Sequence, residues 1–384
     1  MSRDYTLSVY DSIGALDREG YNALIDRENP FLEYEFLEAM EESGCVGPHT
    51  AWIPRYLVLR DRGAMAGAVA AYIKLDSYGE YIFDWEWARA FENARLKYYP
   101  KLVAAVPFTP ATGTRISVHP EYPFEECAGI LARGLAELAV REECSSAHVL
   151  FLTERECSLL ERLGFLTRIT HQYHWKNRNY GSFEDFLGDL RSGRRKQIKK
   201  ERRSLEGTGL EIRIVEKNDI KEEHIDAVWD FYMDTHSRKW GSAYLNREFF
   251  DLMWKKYRHR LVLVMARDGE RWIGGSFNIV KNNRLFGRYW GALEPCNNLH
   301  FECCFYSLID YSINNGVDIF EAGAQGEHKF LRGFGAVPTY SSHLILNEAA
   351  GRAIGKFLDR ERGYTERLIE QYNLQSPLKY LHGQ

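Results

Sequence analysis

Apolar and polar positions along this 384-residue chain follow one series of elements written twice. In the first half three strand-like runs, "RYLVLR" (55–60), "AGAVAAYIKL" (66–75) and "EYIFDW" (80–85), are separated by tight polar turns and predict an antiparallel meander. "RLVLVMAR" (260–267), "WIGGSFNIVK" (272–281) and "RLFGRYWGA" (284–292) repeat it in the second half. An amphipathic helix follows each meander: Phe124, Cys127, Leu131, Leu135 and Leu138 recur at helical spacing in one, Phe301, Phe305, Leu308 and Ile309 in the other. The short apolar runs "AHVLFL" (147–152) and "VDIFEA" (317–322) then have the character of buried parallel strands. Behind each lies a stretch ending in Gly-Phe, with Gly164 and Gly333 where a helix C-cap needs the left-handed conformation. Thr153 and Glu156 form a capping box for the first of these helices. Nine positions separate Phe165 from His174, and nine again separate Phe334 from His343. This order predicts an α/β protein with mixed (α+β) sheets, divided into tandem domains 1–178 and 179–384. The second domain opens with a polar helical linker at 179–205.

Length alone suits two cores. An apolar fraction of 45% and an aromatic fraction of 14% supply them and exclude disorder. Lys+Arg 50 against Asp+Glu 54 gives a net charge of -4, so attraction to nucleic acid or a membrane has to come from a local patch. One such patch is "RSGRRKQIKKERR" (191–203), in which eight basic residues and one acid leave +7. Arg194, Arg195 and Lys199 are its candidates for phosphate contacts, on tRNA or a phosphorylated carrier, and the run equally suits a solvated linker helix. It lacks the interleaved aromatics of base readout. Seven cysteines, at 45, 127, 144, 157, 296, 303 and 304, show no zinc spacing and are expected to be reduced thiols of a cytoplasmic protein. No signal-peptide pattern opens the chain and no run of 18 apolar residues occurs, so neither export nor membrane insertion is expected.

Three strings carry candidate chemistry. "SYGEYIFDWEWARAF" and "YYPKLVAAVPFTPATGTR" set Glu80, Asp84, Trp85, Lys101 and Arg115 among aromatics, as a pocket for an amine or sugar ring would. Strand alternation is expected to put Glu80 and Asp84 on one face; charges paired at the rim of a sheet are the plainer alternative. "FGRYWGALEPCNNLHFE" offers Arg288, Tyr289 and Glu302 as substrate contacts. The third string, "EAGAQGEHKFLRGFG" (321–335), gathers Gln325, Glu327, His328, Lys329 and Arg332 between glycines, after a strand whose C-terminal end is where α/β units bind ligands. The first half has only "TERE" there, which places the expected chemistry in the second half. The alternative is a solvated first helical turn with Arg332 paired to a neighbouring acid.

The doubled order resembles the GNAT acyltransferase fold, and tandem GNAT-like domains joined by a basic helix are similar to the FemABX peptidyltransferases. The three strings more narrowly resemble the FemAB-like family of peptidoglycan biosynthesis/recognition. The resemblance implies transfer of an acyl or aminoacyl group from acyl-CoA, acyl-carrier protein or aminoacyl-tRNA to a primary amine, such as that of a cell-envelope precursor. It also implies a lysine that stabilises the reacting carbonyl, a position Lys329 matches, with Glu327 or His328 as the proton acceptor. One departure bears on the donor. Where a GNAT pyrophosphate turn has Arg/Gln and two glycines, "VHPEYPFEECAGIL" (118–131) has Pro123, Glu126 and Ala128, and "LEPCNNLHFECC" (293–304) lacks the glycines as well. Conventional acetyl-CoA binding is therefore not expected. A non-catalytic module that recognises a peptidoglycan or glycan precursor is the alternative function.

Overall fold

The structure, a computed structural model, describes residues 3–238, 243–323 and 326–379, and of Glu327 the backbone. The chain divides into two compact units, Met1–Thr170 with Pro338–Glu366 and His171–Val337 with Arg367–Gln384. This differs from a single cut at 178/179, because each repeat's last strand is built into the other unit's sheet. The repeat predicts which elements occur; which sheet a terminal strand joins depends on pairing that no local pattern encodes.

In the first unit β1 (Tyr5–Tyr10), β2 (Trp52–Asp61), β3 (Ala64–Lys74) and β4 (Lys101–Ala104) form the antiparallel part of the sheet. The short β5 (Ser117–Val118) pairs with β3, and β6 (Ser146–Leu152) runs parallel to β4. The strand Gly335–Ile345 pairs antiparallel with β6 through its residues 340–345. One sheet face is apolar: Leu102, Ala104, Ala147 and Val149 pack on Leu131 and Leu135 of the helix Phe124–Arg141 and on Leu160 of the helix Glu154–Arg162. The latter begins at Thr153 with the capping box intact, its hydroxyl accepting from the Glu156 amide. "EYIFDW" is not the third strand; Lys101–Ala104 takes that place. With Gly79 and Tyr81 both at positive φ the segment is an irregular loop, and buried charges rather than ladder bonds fix it.

In the second unit β7 (Leu166–Lys176), whose residues 174–176 pair with β12, is followed in space by β12 (Ile319–Glu321), β11 (Arg284–Ala292), β10 (Arg271–Lys281), β9 (Leu261–Asp268) and β8 (Glu211–Glu216). The strand Gly335–Ile345 is β13. The expected linker is two helices, α6 (Phe183–Asp189), capped by the Ser182 hydroxyl, and α7 (Ser192–Glu206), whose Ile198, Glu201 and Leu205 face inward. α8 (Glu222–Arg238) lies hard against β11: a Cβ on Gly291 would sit 1.9 Å from the Phe231 carbonyl oxygen, so only glycine fits. Among the described residues no helix is long and apolar enough to cross a membrane.

Candidate functional site

β11 and β12 pair in parallel only over Arg284–Phe286 and Ile319–Glu321. The ladder ends there because β12 stops at Glu321 while β11 runs on to Ala292, and the fork so formed has Gly287 on one side and Gly323 on the other. The Lys329 side chain reaches this fork: its Nζ donates to the Gly323 carbonyl at 2.8 Å, and a Cβ on Gly323 would lie 3.9 Å from both Nζ and the Gly287 oxygen. Lys329 is 4% exposed, so the expectation of a solvated helical turn does not hold. Burial depresses its pKa to about 8, and the neighbouring Cys304 opposes the shift.

Lys329 belongs to a short 3-10 helix, Glu327–Arg332, ended by Gly333 at φ 86°. Glycine is required there, as the sequence indicated, but it closes a 3-10 turn and not an amphipathic α-helix. The His328 ring is half-buried against the rings of His300, Phe301 and Phe305, at centroid distances of 5.6, 6.1 and 5.6 Å. Desolvation, with Lys329 and Arg332 close by, lowers its pKa. Gln325 and the Glu327 side chain lie outside the described residues. The facing helix runs from Leu299–Phe301 through a π-helical segment, Glu302–Tyr306, into Ser307–Asn314. Such wide turns re-aim side chains and recur at functional sites. Here the segment carries Cys304, the Tyr306 hydroxyl and Phe305 of the His328 cage.

The other second-half candidates separate. Arg288 sits in a β-bulge of β11, between Gly287 and Tyr289 in the pairing with β10, and its guanidinium lies 5.2 Å from the Tyr289 ring centroid; Tyr289 packs on Tyr232 and Phe250, while Trp290 meets His300 at 5.3 Å. Glu302 is held by Arg202, whose Nε and Nη2 donate to its two oxygens at 3.0 and 2.9 Å. That pair lines a groove of about 890 Å³ with Phe183, Lys199, Arg203 and Tyr311. Arg332 is buried and paired with Glu201, as the plainer alternative had it. On α7 Lys199 is bound to Glu184 at 2.7 Å, whereas Arg194 and Arg195 make no ion pair with any described residue.

In the first unit Glu80 and Asp84 do converge, although not by strand alternation. The Lys101 ammonium donates to Glu80 Oε2 at 2.8 Å, to Asp84 Oδ2 and to the Ser77 hydroxyl at 3.0 Å, and the Tyr98 hydroxyl donates to Asp84 at 2.6 Å. Burial moves the Glu80 pKa up to about 7, against the pull of Lys101. Glu80 Oε1 and Asp84 Oδ1 have no hydrogen-bond partner among the described residues. Trp85, by contrast, is exposed beside Tyr78. Arg115 stands apart, donating to the carbonyls of Ala111, Gly113, Thr114 and Leu150.

Sequence reasoning missed three further groups. His174 lies 3.7 Å from Glu321, itself 3.6 Å from Arg284, and Lys329 is near enough to help depress the His174 pKa, a shift due first to burial. The duplicated spacing from Gly-Phe to His174 and His343 was a usable signal. Its partner His343 meets His148 in the first unit, Nδ1 to Nδ1 at 2.7 Å. The third is Glu201, the lone acid of the basic run.

A sequence profile of the FemAB-like family, described as peptidoglycan biosynthesis/recognition, matches residues 12–380. The chain belongs to this family. No curated protein matches this FemAB-like chain by sequence. Among solved structures it is similar to the C-terminal domain of a candidate lysylphosphatidylglycerol synthetase from Agrobacterium fabrum, with a TM-score of 0.57 and 10% identity over 90% of this chain and 97% of that one. FemX superposes with a TM-score of 0.55 and 10% identity, covering 88% and 98%. For L-PGS from Bacillus licheniformis the values are 0.52 and 9%, covering 86% and 96%. Such identities speak for a shared fold. The two units are GNAT-like, each with an antiparallel meander that continues into a parallel pair.

Proposed function

We propose that this FemAB-like protein transfers an acyl or aminoacyl group to a primary amine, that of a cell-envelope precursor, with the chemistry in the second unit. The observation that carries the reading is the Lys329 ammonium, buried at the fork of β11 and β12 with no carboxylate of the described residues against it. A charge kept there at a cost is suited to a developing oxyanion. In the mechanism the acceptor amine attacks the donor carbonyl and the C–N bond forms. Lys329 stabilises the tetrahedral oxyanion, and His328, held neutral by its surroundings, takes the proton from nitrogen. Collapse breaks the C–S or C–O bond, and that proton passes to the leaving group. Arg288 on β11 and Arg332 at the end of the turn complete the polar surroundings.

An ester or thioester donor other than conventional acetyl-CoA is favoured by the first helical turns. The helix Phe124–Arg141 starts with Glu125 and Glu126 and has no side-chain cap, and the helix at Leu299 starts from Asn298 at φ 67°. Aminoacyl-tRNA or an acyl-carrier protein fits Arg194 and Arg195, which pair with no described residue, with Lys199 partly neutralised. A second reading, recognition of a glycan precursor, is favoured by the exposed Tyr78, Phe83 and Trp85. Thermal-shift titration with acyl-CoA, acyl-carrier protein and aminoacyl-tRNA, followed by transfer of labelled acyl group to an amine acceptor, separates the two. Donor binding with transfer lost in Lys329→Met supports the transferase; muropeptide binding with no donor response overturns it.

A further inference from the structure

The turn that carries Lys329 has little of its own to hold it. A six-residue 3-10 helix makes poorly aligned internal bonds, and Gly326 offers no side-chain cap. What holds it is Arg332. From the last residue of the turn its Nη1 donates to the His328 carbonyl at 2.9 Å, closing the backbone beside Lys329. Nη2 donates to both Glu201 oxygens at 3.1 and 3.0 Å, and Nε donates to the Tyr306 hydroxyl at 2.9 Å. The Tyr306 hydroxyl in turn donates to Glu201, which also accepts from Gln197 at 2.8 Å. The guanidinium carbon lies 3.4 Å from the Phe301 ring centroid, so a face is engaged as well as its edges. Arg332, Tyr306 and Glu201 are all buried. A buried ion pair of this kind adds little net stability over an apolar pair, but it fixes geometry, because either partner left alone would be an uncompensated buried charge.

We propose that Glu201 is the positioning residue for Lys329: through Arg332 it fixes the His328 carbonyl, and with it the backbone from which Lys329 reaches the fork. The proposal rests on the reading that Lys329 is the charge-stabilising group. It also accounts for the one acid within the basic run 191–203. Lys196, Lys200 and Arg203 lie on the exposed side of α7 and, like the half-buried Arg194 and Arg195, make no ion pair with a described residue, while the inward side spends one carboxylate on the turn. A local electrostatic preference would have removed that acid; the geometry of the turn retains it.

The test uses the full chain and needs no donor. Lys329 is labelled with a pulse of acetic anhydride between pH 6.5 and 10.5 and quantified in its peptide by mass spectrometry, with Lys101 as internal control. In the wild type, half-maximal reactivity falls near pH 8. In Glu201→Gln, which keeps the size and one oxygen but drops the charge, the midpoint moves toward ordinary lysine by at least tenfold in proton concentration, and Lys101 does not respond. Arg332→Lys, which keeps the charge but loses the fork to His328, gives the same result and serves should Glu201→Gln fail to fold. Lys329 reactivity within twofold of wild type across the pH range in either folded variant overturns the proposal. With an active donor, kcat falls at least tenfold in Glu201→Gln while KM stays within twofold. A labelling shift in a protein that transfers nothing from any donor would leave the clamp standing and sink the transferase reading instead.

Discussion

Lys329→Met is expected to make the protein more stable at neutral pH while abolishing transfer. The depression of the Lys329 pKa from 10.5 to about 8 means that holding the ammonium in the fork costs the folded state ~3 kcal/mol below pH 8. Methionine removes the charge and nearly preserves the volume. The substitution also strips the Gly323 carbonyl of its donor, at a cost of ~1–2 kcal/mol. The balance favours the variant by ~1–2 kcal/mol at pH 7, a rise of a few degrees in Tm for a unit of this size. Between pH 8 and 10.5 the unfolded chain binds more protons at this position than the folded one, so wild-type stability climbs with pH there. The variant has no such rise. Its advantage should therefore shrink above pH 8 and vanish or reverse by pH 10. Urea midpoints of both proteins at pH 7, 8.5 and 10, read by tryptophan fluorescence, measure this directly. A variant several degrees less stable at pH 7, or a difference that does not depend on pH, would show that Lys329 is held by a structural pairing and refute the reasoning.

The sequence was informative where a local rule was sufficient. Five of the six expected meander strands, the Thr153 capping box, the Ser182 cap and the left-handed Gly164 and Gly333 each follow from a few neighbouring residues, and each is present. The FemAB-like assignment rested on long specific strings and needed no geometry. Site placement was legible only in part. Lys329 could be singled out by its glycine-flanked turn, but not its burial, because the fork that receives it forms from residues some 40 positions away in sequence. Glu80 and Asp84 were grouped correctly for a wrong reason: alternation presupposed a strand, whereas Lys101 draws both carboxylates together from an irregular loop. Arg288 and Tyr289 were grouped by adjacency, and a β-bulge at Arg288, which adjacency does not reveal, sets its guanidinium over the Tyr289 ring. Glu201 was invisible because its meaning depends on Arg332, 131 residues away.

Two further expectations concern the buried polar face of the first unit. Lys101→Met should destabilise that unit by ~3–5 kcal/mol at pH 7.5, since it leaves Glu80 and Asp84 buried without their cation; the loss should be smaller at pH 5.5, where Glu80 is protonated, and a loss that does not depend on pH would argue against this. The His148–His343 pair should make the same unit acid-sensitive. The Nδ1 to Nδ1 bond requires opposite neutral tautomers, with the outer nitrogens satisfied by the Ser146 and Ser341 hydroxyls at 2.7 and 2.9 Å. Burial pushes both pKa values well below 6.5; Lys101 adds to this at both rings, and at His343 so does Arg168, while Asp84 pulls the His343 value the other way. Below pH 6.5 the unfolded chain takes up protons that the folded pair refuses, so the pair withdraws ~2 kcal/mol of stability by pH 5.5. Glu80 works against it, because a carboxyl with a folded pKa near 7 binds its proton more tightly in the folded state and stabilises on acidification by a similar amount. The wild type should therefore look nearly flat between pH 7.5 and 5.5, and the effect appears only by comparison. In His148→Asn/His343→Asn the stabilisation from Glu80 is unopposed, and the variant gains ~2 kcal/mol on the wild type over that interval. Parallel pH profiles for the two proteins would mean that the histidines titrate alike in the folded and unfolded chain, which their burial forbids.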